Sequence, residues 1–101
     1  MSNYTPDWWA IVRITFEDQQ IDKVLASFYG ESDSWRLSSG ITKVDENDSH
    51  YQIHNHSGNT YTCYKNNEGM SQYAADEFEN LQDSVKKGGG KIELLDIHAI
   101  L

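Results

Sequence analysis

Three of the four histidines lie in one short stretch, at His50, His54 and His56. Side chains alternate between the two faces of a strand, so these three would point the same way, with His54 and His56 about 6–7 Å apart. Two imidazoles at that distance can share a divalent metal, but zinc needs a third and usually a fourth ligand. No HExxH or CxxC motif supplies them. His54 and His56 are therefore weak metal candidates, and we expect an exposed polar strand without metal.

The only cysteine, Cys63, follows these histidines. A thiol beside His54 would be a candidate nucleophile with its base. Alternation along a hairpin instead turns Cys63 inward, beside Ile53 and Tyr61, where a cysteine acts as a small apolar residue. The sequence also contains no phosphate-binding glycine loop, no EF-hand and no GxSxG elbow. We therefore expect no catalytic residue and no cofactor, and a protein that is not an enzyme.

Acidic side chains recur along a second predicted helix. Carboxylates on the exposed side of one helix can imitate a row of phosphates, although such runs are more often simply solvated. The chain is also rich in tyrosine and tryptophan, which are common at the centres of interfaces. The residues predicted to bind a partner are Asp76, Glu77, Glu79, Asp83, Tyr73 and Tyr64.

The charge balance limits the partners. Eight Lys and Arg stand against sixteen Asp and Glu, for a net charge of −8. This opposes direct binding of nucleic acid and of anionic membranes, both of which require clustered cations. It favours fast encounter with a basic protein surface, such as that of a nucleic-acid enzyme. The alternative is that the charge only keeps a small protein in solution.

A cytoplasmic location is expected. A single cysteine cannot close an intramolecular disulfide. No leader opens the chain, and no apolar run approaches the roughly 18 residues that span a bilayer.

The elements that would position these residues follow from periodicity. Trp8 to Phe16 alternates as a strand. Asp18 is predicted to cap a helix with apolar residues at helical spacing, ended by Gly30. A strand over Ile41–Val44 and the hairpin His50–Lys65 follow, and Ser71 is predicted to cap a helix to about Lys87. The helical positions after Asp18 are Ile21, Val24, Leu25 and Phe28, and the final strand is Lys91 to Leu101.

This order, β-α-β-β-β-α-β, predicts a single α+β domain over residues 1–101, built as a two-layer sandwich. Its two helices would cover one face of a ferredoxin-like or meander antiparallel sheet. A turn tip at Asn47 and Asp48 would place Val44 opposite Tyr51.

Two segments, Trp35 to Ile41 and Ser57 to Tyr61, resemble parts of small uncharacterised accessory proteins encoded by phages. In those proteins a Ser-Gly-x-Thr/Val-Tyr hairpin follows an acidic turn. The resemblance implies an accessory gene product that acts on a host enzyme, in the host cytoplasm. It assigns no functional residue.

Together these observations predict a small acidic binding protein. It would inhibit a host nucleic-acid enzyme or defence system, in the manner of anti-restriction or anti-CRISPR proteins, by steric occlusion or charge mimicry. The alternatives are an immunity protein or antitoxin, and a small metal-binding domain that uses the strand histidines. A homodimer formed through sheet edges or open sheet faces is a further possibility.

Overall fold

The computed structural model describes residues 2–29 and 34–101. Within those ranges it contains eight strands, one α-helix and two 3₁₀ turns. The elements are β1 (Asn3–Tyr4), β2 (Trp8–Phe16), β3 (Gln19–Phe28), β4 (Ser34–Leu37), β5 (Ile41–Glu46), β6 (His50–Asn55), β7 (Thr60–Tyr64), α1 (Gln72–Lys87) and β8 (Lys91–Leu95), with 3₁₀ turns at Lys65–Asn67 and Ile97–Ala99.

The strands form two sheets of four. Sheet A has the order β1-β7-β6-β5, and sheet B has the order β4-β3-β2-β8. The pairing of β1 with β7 is parallel, and the other named strand pairs are antiparallel. Strand β2 is therefore an interior strand of sheet B.

The main core lies between the two sheets. Alternate residues of β2 and β3 face alternate residues of β6 and β7, as the two-residue period of a strand requires. The buried residues of this core are Trp9, Ile11, Val24 and Ala26 from sheet B, Tyr51, Ile53, Tyr61 and Cys63 from sheet A, and Ile97 from the last 3₁₀ turn.

Helix α1 covers the opposite face of sheet B. Its Phe78, Leu81 and Val85 pack against a second apolar cluster that includes Val12 and Leu25. The molecule thus has three layers: sheet A, sheet B and α1. The outer face of sheet A carries no layer among the described residues.

The predicted first helix is wrong, because residues 19–28 form β3. The hairpin pairs β3 with β2 over nine positions, from Phe16 with Gln19 to Trp8 with Ser27. Both faces of the second half of β3 are buried: Val24 and Ala26 face sheet A, whereas Leu25 faces α1. A strand buried on both faces has apolar residues on both, so its sequence lacks the usual alternation of apolar and polar residues. Its apolar residues can then fall at spacings that also fit a helix. The predicted stop at Gly30 lies outside the described residues.

The predicted fold class is wrong for the same reason. A two-layer α+β sandwich in the order β-α-β-β-β-α-β needs two helices on one face of one sheet. The structure instead has one helix and two stacked sheets. Once residues 19–28 pair with β2, the N-terminal third builds most of a second sheet, and a ferredoxin-like or meander plan with two helices is excluded.

Three other elements are confirmed. The strand Trp8–Phe16 and the hairpin of β6 and β7 are present. Helix α1 begins after Ser71, whose hydroxyl oxygen accepts a hydrogen bond from the Ala74 N–H at 3.1 Å.

The predicted strand registers differ from the observed ones by two residues. Val44 lies opposite Ile53 rather than Tyr51. The tip of the turn is Asp48–Ser49, since the Asn47 N–H donates to the His50 carbonyl at 3.0 Å. A two-residue shift keeps each side chain on its predicted face, so the inward position of Cys63 is confirmed although its partner is Tyr51.

Candidate functional site

The acidic residues of α1 occupy the side of the helix that faces away from sheet B. The inner side is held in place by Ala74, which is fully buried, and by Phe78, Leu81 and Val85. Since an α-helix turns about 100° per residue, positions i, i+3 and i+7 share a side. Asp76, Glu79 and Asp83 have this spacing and are exposed. We call these three residues the acidic row.

The two other residues predicted on α1 lie beside the row in different ways. Glu77 is half-buried and, at about 100° from Asp76, lies at the flank of the helix. Tyr73 is 40% exposed and precedes Asp76 by three residues, one turn away. The structure therefore brings Tyr73 and the acidic row together and places Glu77 to one side.

The acidic row has no cationic partner among the described residues. Its one side-chain hydrogen bond comes from the Gln72 amide, which donates to Asp76 at 3.0 Å. Four acids elsewhere in the described chain lie in ion pairs with lysine or arginine. The lysine and arginine ion pairs are Arg13–Asp22, Lys43–Asp45, Lys65–Glu46 and Lys91–Glu93. Exposed acids without an ion pair to any described residue also lie in turns, at Glu17, Asp18 and Asp48, but α1 carries the largest number on any one described element, before Lys86 and Lys87 at its end.

Tyr64 does not belong to this surface. It is the last residue of β7, is 42% exposed, and lies on the outer face of sheet A beside the ring of His50, at 5.5 Å between ring centroids. Both sheets separate it from α1. A single small partner site cannot include Tyr64 and the acidic row together.

The outer face of sheet A contains a hydrogen-bonded line that the sequence did not predict. The imidazole of His54 lies between the Asp45 carboxylate, at 3.0 Å from Nε2, and the Thr60 hydroxyl, at 3.2 Å from Nδ1. The hydrogen bond with His54 lowers the pKa of Asp45, with a smaller contribution from Lys43. The predicted position of Cys63 beside Ile53 would put Thr62, rather than Thr60, opposite His54, so the sequence does not predict this line.

A carboxylate, an imidazole and a hydroxyl in a line are the parts of an activated nucleophile. These three residues stand on adjacent paired strands, whose backbone N–H groups along this line are used by the sheet or, at Thr60, by the Ser2 carbonyl. No free pair of donors is therefore available to stabilise an oxyanion. The line ties β5, β6 and β7 together on an exposed face.

His56 does not share a face with His54. Strand β6 ends at Asn55, and His56 lies in the following turn, where its N–H donates to the Gly40 carbonyl at 2.8 Å. It borders a recess of about 540 Å³ between β3 and the start of β5, lined also by Ile21 and Ile41. Within residues 2–29 and 34–101 no three His, Cys, Asp or Glu side chains are grouped as metal ligands.

Cys63 is completely buried in the core between the sheets. Burial, together with the nearby charge of Glu68, raises the pKa of its thiol. A nucleophilic cysteine needs the opposite, an exposed site that favours the thiolate. Its predicted role as an apolar core residue fits this environment.

In the described part of the chain, no helix is long and apolar enough to cross a membrane. A scan of protein-family models and searches of curated proteins and of solved structures find no match to this chain.

Proposed function

We propose that this chain is a non-enzymatic binding protein whose acidic row on α1 contacts a basic surface of a partner protein. The observation that carries the proposal is the alignment of three exposed carboxylates, without ion pairs to the described residues, on one side of a rigid helix. A helix held by a buried apolar side presents its outer side chains at fixed spacing, so little ordering entropy is lost on binding.

The spacing of the row suits pairing with clustered arginine or lysine residues. Successive members are about 4.5 and 6 Å apart along the helix axis, given a rise of about 1.5 Å per residue. One strand of duplex DNA carries a phosphate about every 3.4 Å along its axis. The row therefore offers roughly two-thirds of the charge density of a strand over its short length, enough to occupy a few phosphate-binding side chains rather than to replace a whole duplex.

Electrostatic steering supports the same partner class. A net charge of −8 attracts a basic surface over about a Debye length, about 10 Å at 0.1 M salt, and raises the association rate at low salt. Nucleic-acid enzymes have such surfaces at their substrate channels. The proposed mechanism is occlusion of that channel, with Tyr73 supplying apolar contact at the edge of the row.

The proposed setting is the cytoplasm of a host cell, with the partner a nucleic-acid enzyme or a defence complex. The resemblance of Trp35 to Ile41 and Ser57 to Tyr61 to phage accessory proteins supports an inhibitor of the anti-restriction or anti-CRISPR type. An immunity protein or antitoxin that neutralises a basic toxin would use the same contacts, and the partner's identity distinguishes the two.

The test is affinity capture with matched charge variants. The bait D76N/E79Q/D83N removes the row, and the control bait E17Q/D18N/D48N removes the same charge from exposed hairpin turns. Each is immobilised beside the wild-type protein and exposed to host extract at about 50 mM and about 500 mM salt. We expect a basic partner that is captured at low salt by the wild-type protein and the control, and lost with the row variant.

Equal capture by the row variant would contradict the assignment to α1. Capture that survives high salt unchanged, or no partner at low salt, would contradict the electrostatic mechanism. The purified partner then allows a direct assay, in which wild-type protein and the control variant inhibit its activity on nucleic acid and the row variant does so at least tenfold less well, a change that corresponds to about 1.4 kcal/mol.

A further inference from the structure

Among residues 2–29 and 34–101, strand β5 has one edge that pairs with no other strand. It pairs with β6 on one side and is the last strand of sheet A on the other. Hydrogen bonding alternates along an antiparallel strand, so every second residue points its N–H and C=O toward the partner strand. The Asn47 N–H donates to the His50 carbonyl. Because hydrogen bonding alternates, Asp45 and Lys43 also direct their backbone N–H and C=O groups toward β6. Val44 and Glu46 therefore direct their backbone groups outward, away from the sheet.

We propose that this edge pairs with the same edge of a second copy of the chain. A two-fold axis at Val44 would place Val44 opposite its own counterpart, joined by two backbone hydrogen bonds, and continue sheet A across both molecules. The inference is independent of the function proposed for α1.

The charges of β5 support this register. With the axis at Val44, Lys43 of each copy lies opposite Asp45 of the other, on the outer face of the sheet. Both side chains are mostly exposed, at 68% and 50%, and already lie 3.4 Å apart within one copy. Opposite charges directly across two strands stabilise the pair, and the two-fold axis makes this contact twice.

The two neighbouring symmetric registers bring like charges together. An axis at Asp45 would place the two Asp45 side chains opposite each other, and an axis at Lys43 would do the same for the two lysines. Like charges directly opposite one another destabilise strand pairing. The sequence Lys43-Val44-Asp45 is therefore self-complementary only about its centre.

Apolar groups on the inner face add to the contact. Val44 faces the interior of the molecule, where it borders a recess of about 430 Å³ that is also lined by Ile100 and Leu101. Leu101 is 53% exposed. In the Val44-centred register two Val44 side chains meet above two such recesses, so the second copy covers apolar surface that one copy leaves open.

The length of the pairing is limited by a β-bulge. The register of β5 against β6 shifts between Ile41 and Lys43. Bulges bend an edge strand and end regular pairing. The contact is thus confined to the few residues around Val44, and its two-fold symmetry makes it a closed dimer rather than an open stack. The dimer leaves α1 uncovered, since α1 lies beyond sheet B.

The test uses two charge reversals that weaken the dimer singly and restore it when mixed. In the proposed dimer, residue 43 of each copy lies opposite residue 45 of the other. In a K43E dimer each such pair consists of two acidic side chains, and in a D45K dimer it consists of two lysine side chains. Each variant is expected to dimerise at least about tenfold more weakly than the wild-type protein in sedimentation equilibrium at low salt. An equal mixture of the two restores dimer, because every opposed pair is then of opposite sign. K86E, which makes the same charge change as K43E but at the end of α1, is the control.

A second variant tests the backbone contact. Val44→Pro removes an N–H that faces away from β6, and proline is tolerated on edge strands. We expect a monomer whose melting temperature remains close to that of a wild-type sample diluted to the monomeric state.

A wild-type protein that stays monomeric up to about 1 mM would overturn the proposal, since a Kd above that corresponds to less than about 4 kcal/mol of association. A dimer that persists in V44P, or a mixture of K43E and D45K no more associated than either alone, would also overturn it.

Discussion

The indole nitrogen of Trp9 donates a hydrogen bond of 2.7 Å to the carbonyl oxygen of Tyr64. Trp9 belongs to β2 of sheet B and Tyr64 ends β7 of sheet A, so this bond joins the two sheets at the edge of their shared core. The indole is fully buried and meets the ring of Tyr51 edge to face, at 5.8 Å between centroids. One side chain thus supplies packing and a polar contact between the layers.

Replacing Trp9 with phenylalanine tests the importance of this contact. The variant loses the hydrogen bond, worth about 0.5–1.5 kcal/mol, and leaves a cavity where the second ring was. We expect the free energy of unfolding to fall by about 2–4 kcal/mol in urea titrations.

Trp8 provides the matched control. It is half-buried and has no side-chain hydrogen bond to another described residue. Trp8→Phe should cost about 1 kcal/mol or less. Equal losses of unfolding free energy in the two variants would show that the hydrogen bond to Tyr64 and the central position of Trp9 add nothing to stability.

The sequence predicts the elements with one clear period and fails where a strand is buried on both sides. Residues 72–87 have one apolar stripe, and their helix is confirmed with its Ser71 cap. The stretch 19–28 combines a small Ala26 and a polar Ser27, both buried, with larger residues at helical spacing. Only the nine-residue pairing with β2, a long-range interaction, distinguishes the two conformations.

The N-terminus is a second place where a long-range pairing determines the structure and local sequence patterns do not predict it. No strand is predicted before Trp8, yet β1 pairs with β7, and the ring of Tyr4 stacks on that of Tyr61 at 5.0 Å between centroids. A parallel pairing between residues almost sixty positions apart leaves no local pattern in the sequence.

The candidate site was predictable in part. Helical spacing alone places Asp76, Glu79 and Asp83 on one side of α1 and Glu77 at its flank. The separation of Tyr64 from this row depends on the stacking of the two sheets, which the predicted single sheet did not contain. The contact of His54 with Thr60 depends on a hairpin register that the turn sequence does not specify.

Alanine substitution of two buried serines, Ser27 in β3 and Ser38 just after β4, should change the stability of the protein in opposite directions. The Ser27 hydroxyl is buried without a hydrogen-bond partner among the described residues. The Ser38 hydroxyl accepts from the Val24 N–H at 2.8 Å and donates to the Ser39 carbonyl at 2.7 Å. An unsatisfied buried hydroxyl costs about 1–3 kcal/mol, so Ser27→Ala should raise stability, whereas Ser38→Ala should lower it by about 1–2 kcal/mol.

Thermal melts of the two variants beside the wild-type protein check this prediction. Each variant removes one oxygen from a buried site, so the comparison controls for side-chain volume. Destabilisation of similar size in both would contradict the difference in hydrogen bonding that the structure shows.

Ser71 should contribute through its cap. Its hydroxyl oxygen satisfies one of the N–H groups that the first turn of α1 leaves unpaired. Ser71→Ala is expected to cost about 1 kcal/mol, and Ser71→Asp is expected to retain the cap. Urea titrations followed by far-ultraviolet circular dichroism measure both, and equal losses in the two variants would argue against capping by this side chain.

The buried thiol of Cys63 predicts a loss of stability in alkali. Burial raises the pKa of Cys63 in the folded protein above its value of about 8.5 in the unfolded chain. The contribution is therefore fully present below pH ~8.5, and above it the unfolded chain releases a proton that the folded protein keeps. Stability should fall by up to about 1.4 kcal/mol per pH unit, until the pH reaches the folded pKa.

Cys63→Ala isolates this effect, because Tyr51, whose pKa is also raised by burial, is common to both proteins. Urea titrations under reducing conditions at about pH 7.5, 8.5 and 9.5 give the difference in unfolding free energy at each pH. That difference should shrink by about 0.4 kcal/mol between the lower two values and by about 1 kcal/mol more at the highest, as the wild-type protein loses its advantage. If the unfolding free energies of the two proteins change in parallel with pH, the folded protein releases the thiol proton as readily as the unfolded chain. That result would contradict the effect of burial by Tyr51, Ile53 and Tyr61.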